Sequence, residues 1–263
     1  MQQSTVDRTR SAAQVRAEHA RGSRLTFATG LLLLAAGAGP AVAADCPALL
    51  ATATQLVLVT AAASDGIHAT LQTFERAATS APWQRRDASE PAVLGRRGLG
   101  LGWPLRGAAA SAIPAKVEGD GRTPAGVYRI GAPFGSLPQS LPGYMQLRKG
   151  QQFCVDDPRS VHYGRIVPRS IVPPGTSGED MGTIDLYRRG FVIDYPANAQ
   201  VRGGSCVFLH VWRAPGKGTA GCVAASEATL ARLQAWVVPG KAVIAVGTPQ
   251  MGAELLSCLS LRR

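Results

Sequence analysis

The chain has 263 residues, enough for one domain of moderate size with its own hydrophobic core. Apolar residues make up 46% of the chain and charged residues only 17%, a balance that excludes a disordered polyampholyte. The 30 glycines and 18 prolines are typical of many short strands and turns and argue against a helical bundle or coiled coil. Beyond the N-terminal segment, no run of about eighteen apolar residues occurs, which excludes a polytopic membrane protein.

The first 43 residues have the features of an export signal. Four arginines between residues 10 and 24 form a positive n-region, and residues 25–38 form an apolar h-region. Residues 40–43 then supply the small-x-small pattern that precedes a cleavage site. We therefore predict a signal peptide over residues 1–43 and a single exported domain over residues 44–263, located in the periplasm or at the cell wall. The alternative is an uncleaved signal that anchors the chain in the membrane.

The charge of the exported part indicates an anionic neighbour. Removal of residues 1–43 takes away five arginines, one aspartate and one glutamate, which lowers the net charge from +11 to about +8. A basic exported protein suits the cell wall or a lipid headgroup layer, and export argues against nucleic acid as a partner. The alternative is an ordinary solvated surface whose arginines reflect composition bias.

The exported part contains an odd number of cysteines, namely Cys46, Cys154, Cys206, Cys222 and Cys258. In an oxidising compartment, this predicts disulfide pairs plus one free thiol. If one is free, the other four can pair in three ways, and the sequence does not choose among them. A free thiol with a histidine nearby in the fold is the requirement for a cysteine nucleophile.

In chain order, the alternation of short strand-like runs with turn-rich segments predicts one mainly β domain without internal repeats or an interdomain linker. The predicted strands cover residues 55–60, 69–74 (as the hairpin partner of the first), 126–130, 191–195, 207–212 and 242–246. The predicted loops cover residues 84–107, 131–143 and 168–178. One helix is predicted after Ser226, which is a candidate N-cap residue.

The most informative stretch lies between residues 204 and 224. A strand carries His210, and a glycine-rich loop then leads to Gly221 and Cys222, just ahead of the predicted helix. An imidazole or a helix N-terminus beside Cys222 would favour its thiolate, and His210 can accept and return the thiol proton. Backbone N–H groups at Gly221 and Cys222 can stabilise an oxyanion. The spacing alone is compatible with either a nucleophile or a buried structural cysteine.

Strand geometry separates Cys222 from the other nearby cysteine. Cys206 lies four residues before His210 on the same predicted strand, which places it about 13 Å away. It cannot be the thiol partner of His210, whereas Cys222 can fold back beside it. A zinc site is not expected, because Cys154, His162, His210 and Cys222 lack the close ligand spacing of such sites.

Several blocks of the sequence resemble the catalytic domain of the L,D-transpeptidase (YkuD-type) family. In that family, a histidine at a strand end and a cysteine in a Gly-Cys step form the active site. The other similar blocks are Glu118-Gly119-Asp120-Gly121-Arg122-Thr123-Pro124-Ala125-Gly126-Val127-Tyr128, Cys154-Val155-Asp156-Asp157, Met181 with Asp185 and Tyr187, and Val192-Ile193-Asp194-Tyr195. Together they place a catalytic core at about residues 115–247. The resemblance implies a β-sandwich of mixed sheets with one or a few short helices and the Cys–His pair in a cleft.

The resemblance also implies a reaction in cell wall biogenesis. Cys222 would attack a carbonyl of a peptidoglycan stem peptide, and the terminal D-alanine would leave with a proton from His210. The thioester would then pass to an amine of a neighbouring stem, giving a 3→3 cross-link, or to a lipoprotein. No cofactor or metal is expected, because the thiol does the covalent work. Asp194 is a candidate for orienting His210.

The chain departs from the family pattern around Cys222. Many members carry Ser-His-Gly-Cys followed by a hydrophobic residue and an arginine, whereas this chain has Ala220 before the Gly-Cys step and Ala224 in the arginine position. Arg213 and Lys217 are the candidates to hold a substrate carboxylate instead. Two alternatives remain open: an L,D-carboxypeptidase or endopeptidase, in which water accepts the acyl group, and a non-catalytic cell-wall-binding protein in which Cys222 is disulfide-bonded.

Overall fold

The fold is known from a computed structural model that describes residues 46–102 and 113–259. The predicted signal peptide, residues 1–43, lies outside the described residues. Within these ranges, no helix combines the length and the apolar character needed to cross a bilayer.

The described residues contain many short strands and three α-helices. The strands are β1 Gln55–Ala61, β2 His68–Glu75, β3 Gln84–Arg85, β4 Glu90–Val93, β5 Leu99–Leu101, β6 Thr123–Gly135, β7 Met145–Gln146, β8 Gln152–Val155, β9 Ile166–Pro168, β10 Gly178–Asp180, β11 Gly190–Ile193, β12 Phe208–Val211, β13 Val223–Ala225 and β14 Ala242–Gly247. The helices are α1 Ala48–Thr52, α2 Glu227–Trp236 and α3 Pro249–Cys258. The prediction of a mainly β fold with a few short helices is confirmed.

Eight strands of the main sheet form a closed sequence of hydrogen-bonded pairs. Their order is β1-β14-β6-β11-β12-β13-β4-β2, and β2 pairs back onto β1. The pairs β1–β14 and β12–β13 are parallel, whereas the other six are antiparallel. A separate three-stranded sheet has the order β10-β8-β9. The sandwich arrangement that the resemblance implies stays a prediction.

Side-chain alternation along β12 and β13 positions the site. Leu209 and Val211 join a hydrophobic core that receives residues from all eight strands of the main sheet. Because successive side chains of a strand point to opposite faces, Phe208 and His210 point away from that core. Phe208 packs instead in a second cluster that also contains Tyr187. The face of the sheet opposite the main core is therefore the face on which the candidate site is built.

Several sequence predictions about the elements are confirmed. The predicted hairpin is formed by β1 and β2, which pair antiparallel. Helix α2 begins after Ser226, whose hydroxyl accepts the backbone N–H of Thr229 at 3.0 Å. Both Leu230 and Leu233 of this helix are buried in the main core.

Other predictions about the elements are wrong. The long loop predicted over residues 84–107 contains β3, β4 and β5, and the loop predicted to start at residue 131 is still part of β6 up to Gly135. Strands β3, β4 and β5 escape detection because they are short and contain glycine, proline or arginine, so their register comes from neighbouring strands. Helices α1 and α3 were also missed. In α3, the N-cap Thr248 followed by Pro249 is a start signal that the sequence does carry.

Candidate active site

The fold brings His210 and Cys222 to the same face of the sheet. Strands β12 and β13 are parallel with Leu209 opposite Val223, which places Cys222 beside Phe208. The backbone N–H of Phe208 donates to Cys222 Sγ at 3.4 Å. His210 follows Phe208 by two residues and therefore shares its face. Both predicted residues line one cavity of about 550 Å³.

The disulfide pattern leaves Cys222 as the free cysteine. The bonded pairs are Cys46–Cys258 and Cys154–Cys206. Cys222 is unpaired and buried, with 7% of its surface exposed. The prediction of disulfide pairs plus one free thiol is confirmed, and the pairing that the sequence left open is resolved. A zinc site that includes Cys154 is excluded because its sulfur is in a disulfide.

The tautomer of His210 follows from its backbone contact. The ring Nδ1 lies 2.8 Å from the carbonyl oxygen of Val211, and because a carbonyl only accepts, Nδ1 carries the proton. Nε2 of the neutral ring is then the nitrogen that can accept a proton. Burial lowers the pKa of His210 to about 4 despite this hydrogen bond, so the ring is neutral at pH 7.

The prediction that Asp194 orients His210 is wrong. The group that contacts the ring Nδ1 is the carbonyl of Val211, and Asp194 is exposed.

Cys222 is a neutral thiol in the resting site. Burial and, to a smaller extent, the nearby charge of Glu179 raise its pKa to about 12, although the Phe208 N–H, Lys116 and the Tyr187 hydroxyl act in the opposite direction. The sequence suggested that a helix N-terminus would favour the thiolate, but α2 begins only at Glu227. The pair therefore rests as thiol and imidazole rather than as an ion pair, and the proton must move during the reaction.

Gly221 has a backbone conformation that favours glycine. Its φ is +153°, and a Cβ atom built there would lie 3.0 Å from the carbonyl oxygen of Arg122. Its N–H donates to Thr219 Oγ1 at 3.1 Å. This predicted oxyanion donor is therefore engaged in the resting site and would have to exchange Thr219 for the substrate oxygen.

Two threonine hydroxyls hold the carbonyl group of Cys222. Thr219 Oγ1 donates to it at 2.6 Å and Thr123 Oγ1 at 3.0 Å. Thr123 is fully buried and also accepts the backbone N–H of Gly95 at 2.8 Å. Thr123 belongs to the upstream block of the sequence, and this contact shows what the block does: it fixes the backbone of the cysteine.

The rest of that block is a turn held by Asp120. Its carboxylate accepts Lys116 Nζ at 2.7 Å and the backbone N–H of Arg122 at 2.9 Å. The guanidinium of Arg122 donates to the carbonyl groups of Arg97 and Leu99 at 2.6 and 3.0 Å. These contacts attach the turn to β5 and place Thr123 within hydrogen-bonding distance of the carbonyl group of Cys222.

The cavity wall carries charges of both signs. The predicted Arg213 and Lys217 line it, so the structure brings them to the same site as Cys222. The sequence analysis gave no role in the site to the other charged lining residues, which are Arg96, Lys116, Glu118, Asp156 and Glu179. Most of these residues lie far from the Gly-Cys step in the chain, and only the fold brings them there. His162 is not part of the cavity lining.

One disulfide forms part of the cavity wall. Cys206 has a left-handed backbone, with φ of +49°, and its sulfur is bonded to Cys154 of β8. The carbonyl oxygen of Cys206 lies 3.6 Å from Cys222 Sγ. A non-glycine residue in this region of φ is uncommon and needs its surroundings to hold it. The Cys154–Cys206 bond therefore anchors a segment that touches the thiol.

Comparison with known proteins decides the family. The L,D-transpeptidase catalytic domain (YkuD) matches residues 81–245 of the chain. The chain belongs to the L,D-transpeptidase (YkuD) family. The resemblance stated from the sequence is confirmed, and the matched region extends further toward the N-terminus than the core predicted at residues 115–247.

Two solved structures are similar to this L,D-transpeptidase-family chain at low identity. Bd1075 of Bdellovibrio bacteriovorus has 16% identity and a TM-score of 0.39, covering 80% of this chain and 55% of that one. The helical cell shape determining protein Pgp2 of Campylobacter jejuni has 17% identity and a TM-score of 0.37, covering 74% and 48%. The chain thus spans about half the length of each. Among curated proteins, none matches the chain.

Proposed function

We propose that this protein is an exported L,D-transpeptidase with Cys222 as nucleophile and His210 as proton acceptor and donor. The family acts on peptidoglycan stem peptides, which gives the substrate class. One observation carries the proposal: the cysteine that is outside both disulfides shares a cavity with a neutral histidine. The alternative of a non-catalytic cell-wall-binding protein assumed that Cys222 is disulfide-bonded, whereas Cys222 is a free cysteine.

In the first half-reaction, Cys222 Sγ attacks the carbonyl carbon of the L-centre before the terminal D-alanine, with diaminopimelate as the expected residue. The thiol proton passes to His210 Nε2, because Nδ1 already holds a proton against Val211. The C–N bond to D-alanine then breaks, and the leaving amine takes the proton from His210. A thioester on Cys222 remains.

In the second half-reaction, an amine attacks the thioester carbonyl. Its proton moves to His210 and then to the departing sulfur, which restores the thiol. An amine of a neighbouring stem gives a 3→3 cross-link, and an amine of a lipoprotein gives protein attachment. If water takes the place of the amine, the same residues perform an L,D-carboxypeptidase reaction.

The remaining roles are assigned from the cavity wall. Backbone N–H groups at Gly221 and Cys222 are proposed to stabilise the oxyanion. Arg213 and Lys217 are proposed to bind the substrate carboxylate, since both line the cavity and the family's arginine after the Gly-Cys step is replaced by Ala224. Two disulfides support export to an oxidising compartment, in the periplasm or at the cell wall.

The test is mass spectrometry of a purified disaccharide-tetrapeptide after incubation with the protein, with the Cys222→Ala variant as control. We expect loss of D-alanine and a cross-linked dimer with the wild type and neither product with the variant. D-alanine release without a dimer would favour the carboxypeptidase. Equal product from both proteins would refute Cys222 as the nucleophile, and no product from either would refute the proposed donor.

A further inference from the structure

A carboxylate of the upstream block is bonded to the segment that leads into β12. Glu118 Oε2 accepts the hydroxyl proton of Ser205 at 2.7 Å. It also accepts the hydroxyl proton of Tyr163 at 2.5 Å, so the carboxylate is held between two donors. Both Glu118 and Ser205 line the cavity of the candidate site. Because Ser205 immediately precedes Cys206, this contact restrains the backbone beside the disulfide.

The backbone of this segment depends on its surroundings. Arg202, Gly204 and Cys206 have positive φ values of +46°, +105° and +49°. This region favours glycine, so an arginine and a cysteine persist there only when other groups hold them. The disulfide holds the side chain of Cys206, whereas the direction of its carbonyl group follows the backbone. The bond from Ser205 to Glu118 restrains that backbone one residue earlier.

The carbonyl group of Cys206 is a hydrogen-bond acceptor for the thiol. Cys222 Sγ donates to this oxygen at 3.6 Å and accepts the backbone N–H of Phe208 at 3.4 Å. These two contacts fix the sulfur in the resting site. A hydrogen bond to the neutral form of a group disfavours its charged form, so the Cys206 carbonyl favours the thiol over the thiolate. Displacement of this carbonyl would change both the position and the reactivity of the sulfur.

We propose that Glu118 is a positioning residue: through Ser205, its carboxylate holds the carbonyl of Cys206 against the thiol of the proposed nucleophile. The upstream block thus holds the cysteine on two sides, with Thr123 at the carbonyl of Cys222 and Glu118 at the segment that its thiol contacts. In this role, Glu118 transfers no proton. The inference rests on the proposed function of Cys222, but its main test reads the thiol and needs no peptidoglycan.

The main experiment is iodoacetamide alkylation of the full oxidised protein at about pH 8, below the pKa of the thiol, followed by mass spectrometry. With both disulfides intact, Cys222 is the thiol that reacts. The variants are Glu118→Ala, Ser205→Ala and the double variant. Thr248→Ala is the control, because it removes the N-cap of α3 and lies outside the cavity lining. It measures how far lower stability alone speeds alkylation.

We expect Glu118→Ala and Ser205→Ala each to speed alkylation of Cys222 about tenfold, since the sulfur loses the carbonyl that favours its neutral form. The double variant should react within about twofold of either single variant, because both changes break the same bond. Thr248→Ala should stay within about twofold of the wild type, because it leaves the cavity unchanged.

Kinetics with the tetrapeptide give a second readout. Both alanine variants should lower kcat about tenfold and leave KM within about twofold of the wild type, because a displaced thiol loses its alignment in the transition state. A higher KM with an unchanged kcat would make Glu118 a substrate-binding residue and overturn the proposal. If the wild type does not release D-alanine, the proposed function is refuted, and the alkylation rates still decide the role of Glu118.

Two alkylation results would also overturn the proposal. One is the wild-type rate in Glu118→Ala or in Ser205→Ala, and the other is a double variant in which the two accelerations multiply, which would show that the residues act independently. Near-ultraviolet circular dichroism checks that each variant is folded. If Glu118→Ala does not fold, Glu118→Asp replaces it, because the shorter side chain withdraws the carboxylate from Ser205. Faster alkylation then supports the positioning role, and the wild-type rate refutes it.

Discussion

The hydroxyl of Thr123 donates to the carbonyl oxygen of Cys222 across a separation of 99 residues in the sequence. This bond joins the upstream block of the family pattern to the Gly-Cys step. The block contributes no group to the proposed chemistry, but it fixes the backbone from which the thiol projects. Because Thr123 also accepts the N–H of Gly95, one fully buried side chain connects three segments of the chain.

Replacement of Thr123 by valine tests this contact. Valine has the same shape but no hydroxyl, so the buried N–H of Gly95 loses its acceptor, and the free energy of unfolding should fall by about 1–3 kcal/mol. Turnover should fall as well, because the carbonyl of Cys222 keeps only Thr219 as a partner. Urea denaturation and the tetrapeptide assay measure the two effects. Thr123→Ser should retain most of both, and a valine variant equal to wild type would contradict the assigned role.

The buried neutral His210 predicts a dependence of stability on pH. Its pKa is lowered from 6.5 to about 4 in the folded protein, so below pH 6.5 the unfolded chain binds a proton that the folded protein does not. Stability is therefore retained above pH 6.5 and lost as the pH falls toward 4. Between pH 7 and pH 5, the contribution of this group amounts to about 2 kcal/mol.

The measurement is urea denaturation of the wild type and of His210→Gln at these two pH values. Glutamine does not titrate, so the variant should lose about 2 kcal/mol less than the wild type between pH 7 and pH 5. Equal losses in both proteins would show that His210 is not the group responsible.

The two disulfides are expected to differ in what they support. The Cys154–Cys206 bond anchors the carbonyl that lies 3.6 Å from the thiol, so a Cys154→Ala/Cys206→Ala variant should lose activity about 10- to 100-fold through displacement of the site. The Cys46–Cys258 bond lies outside the cavity lining and closes a separation of 212 residues. Its removal should lower the free energy of unfolding by about 2–5 kcal/mol and leave kcat nearly unchanged.

Each disulfide variant serves as the control for the other. Thermal melts and tetrapeptide kinetics on the pair give both quantities under one set of conditions. A loss of kcat without Cys46–Cys258 equal to that without Cys154–Cys206 would contradict a specific role of the second bond in the site.

The cationic wall predicts a change in substrate affinity. Arg213→Ala and Lys217→Ala should each raise KM about tenfold with little change in kcat, if these residues bind a substrate carboxylate. Arg85→Ala, an exposed arginine of β3 outside the cavity lining, is the control and should leave KM unchanged. An unchanged KM in both cavity variants would indicate that Arg96 or Lys116, which also line the cavity, binds the substrate carboxylate instead. Steady-state kinetics with the tetrapeptide measures these constants.

Features that depend on residues close together in the sequence could be predicted, whereas features that depend on residues far apart in the sequence could not. His210 and Cys222 were predictable because a strand, a glycine-rich loop and a Gly-Cys step lie within a short stretch. The cap at Ser226 was predictable for the same reason. The effect of Glu179 on the pKa of Cys222 was not, because only the fold brings Glu179 into the cavity that Cys222 lines. The short strands β4 and β5 likewise take their conformation from partners distant in sequence.

The Cys46–Cys258 bond makes the polypeptide between these residues a closed covalent ring. Tension applied at the two ends of the domain would pass through the sulfur atoms rather than through the hydrogen bonds between β1 and β14, to which these ends lead. The domain could then be pulled from either terminus without being unravelled. A single proteolytic cut in an exposed loop would also leave both fragments joined, so mechanical load and nicking are two stresses that this bond lets the fold withstand.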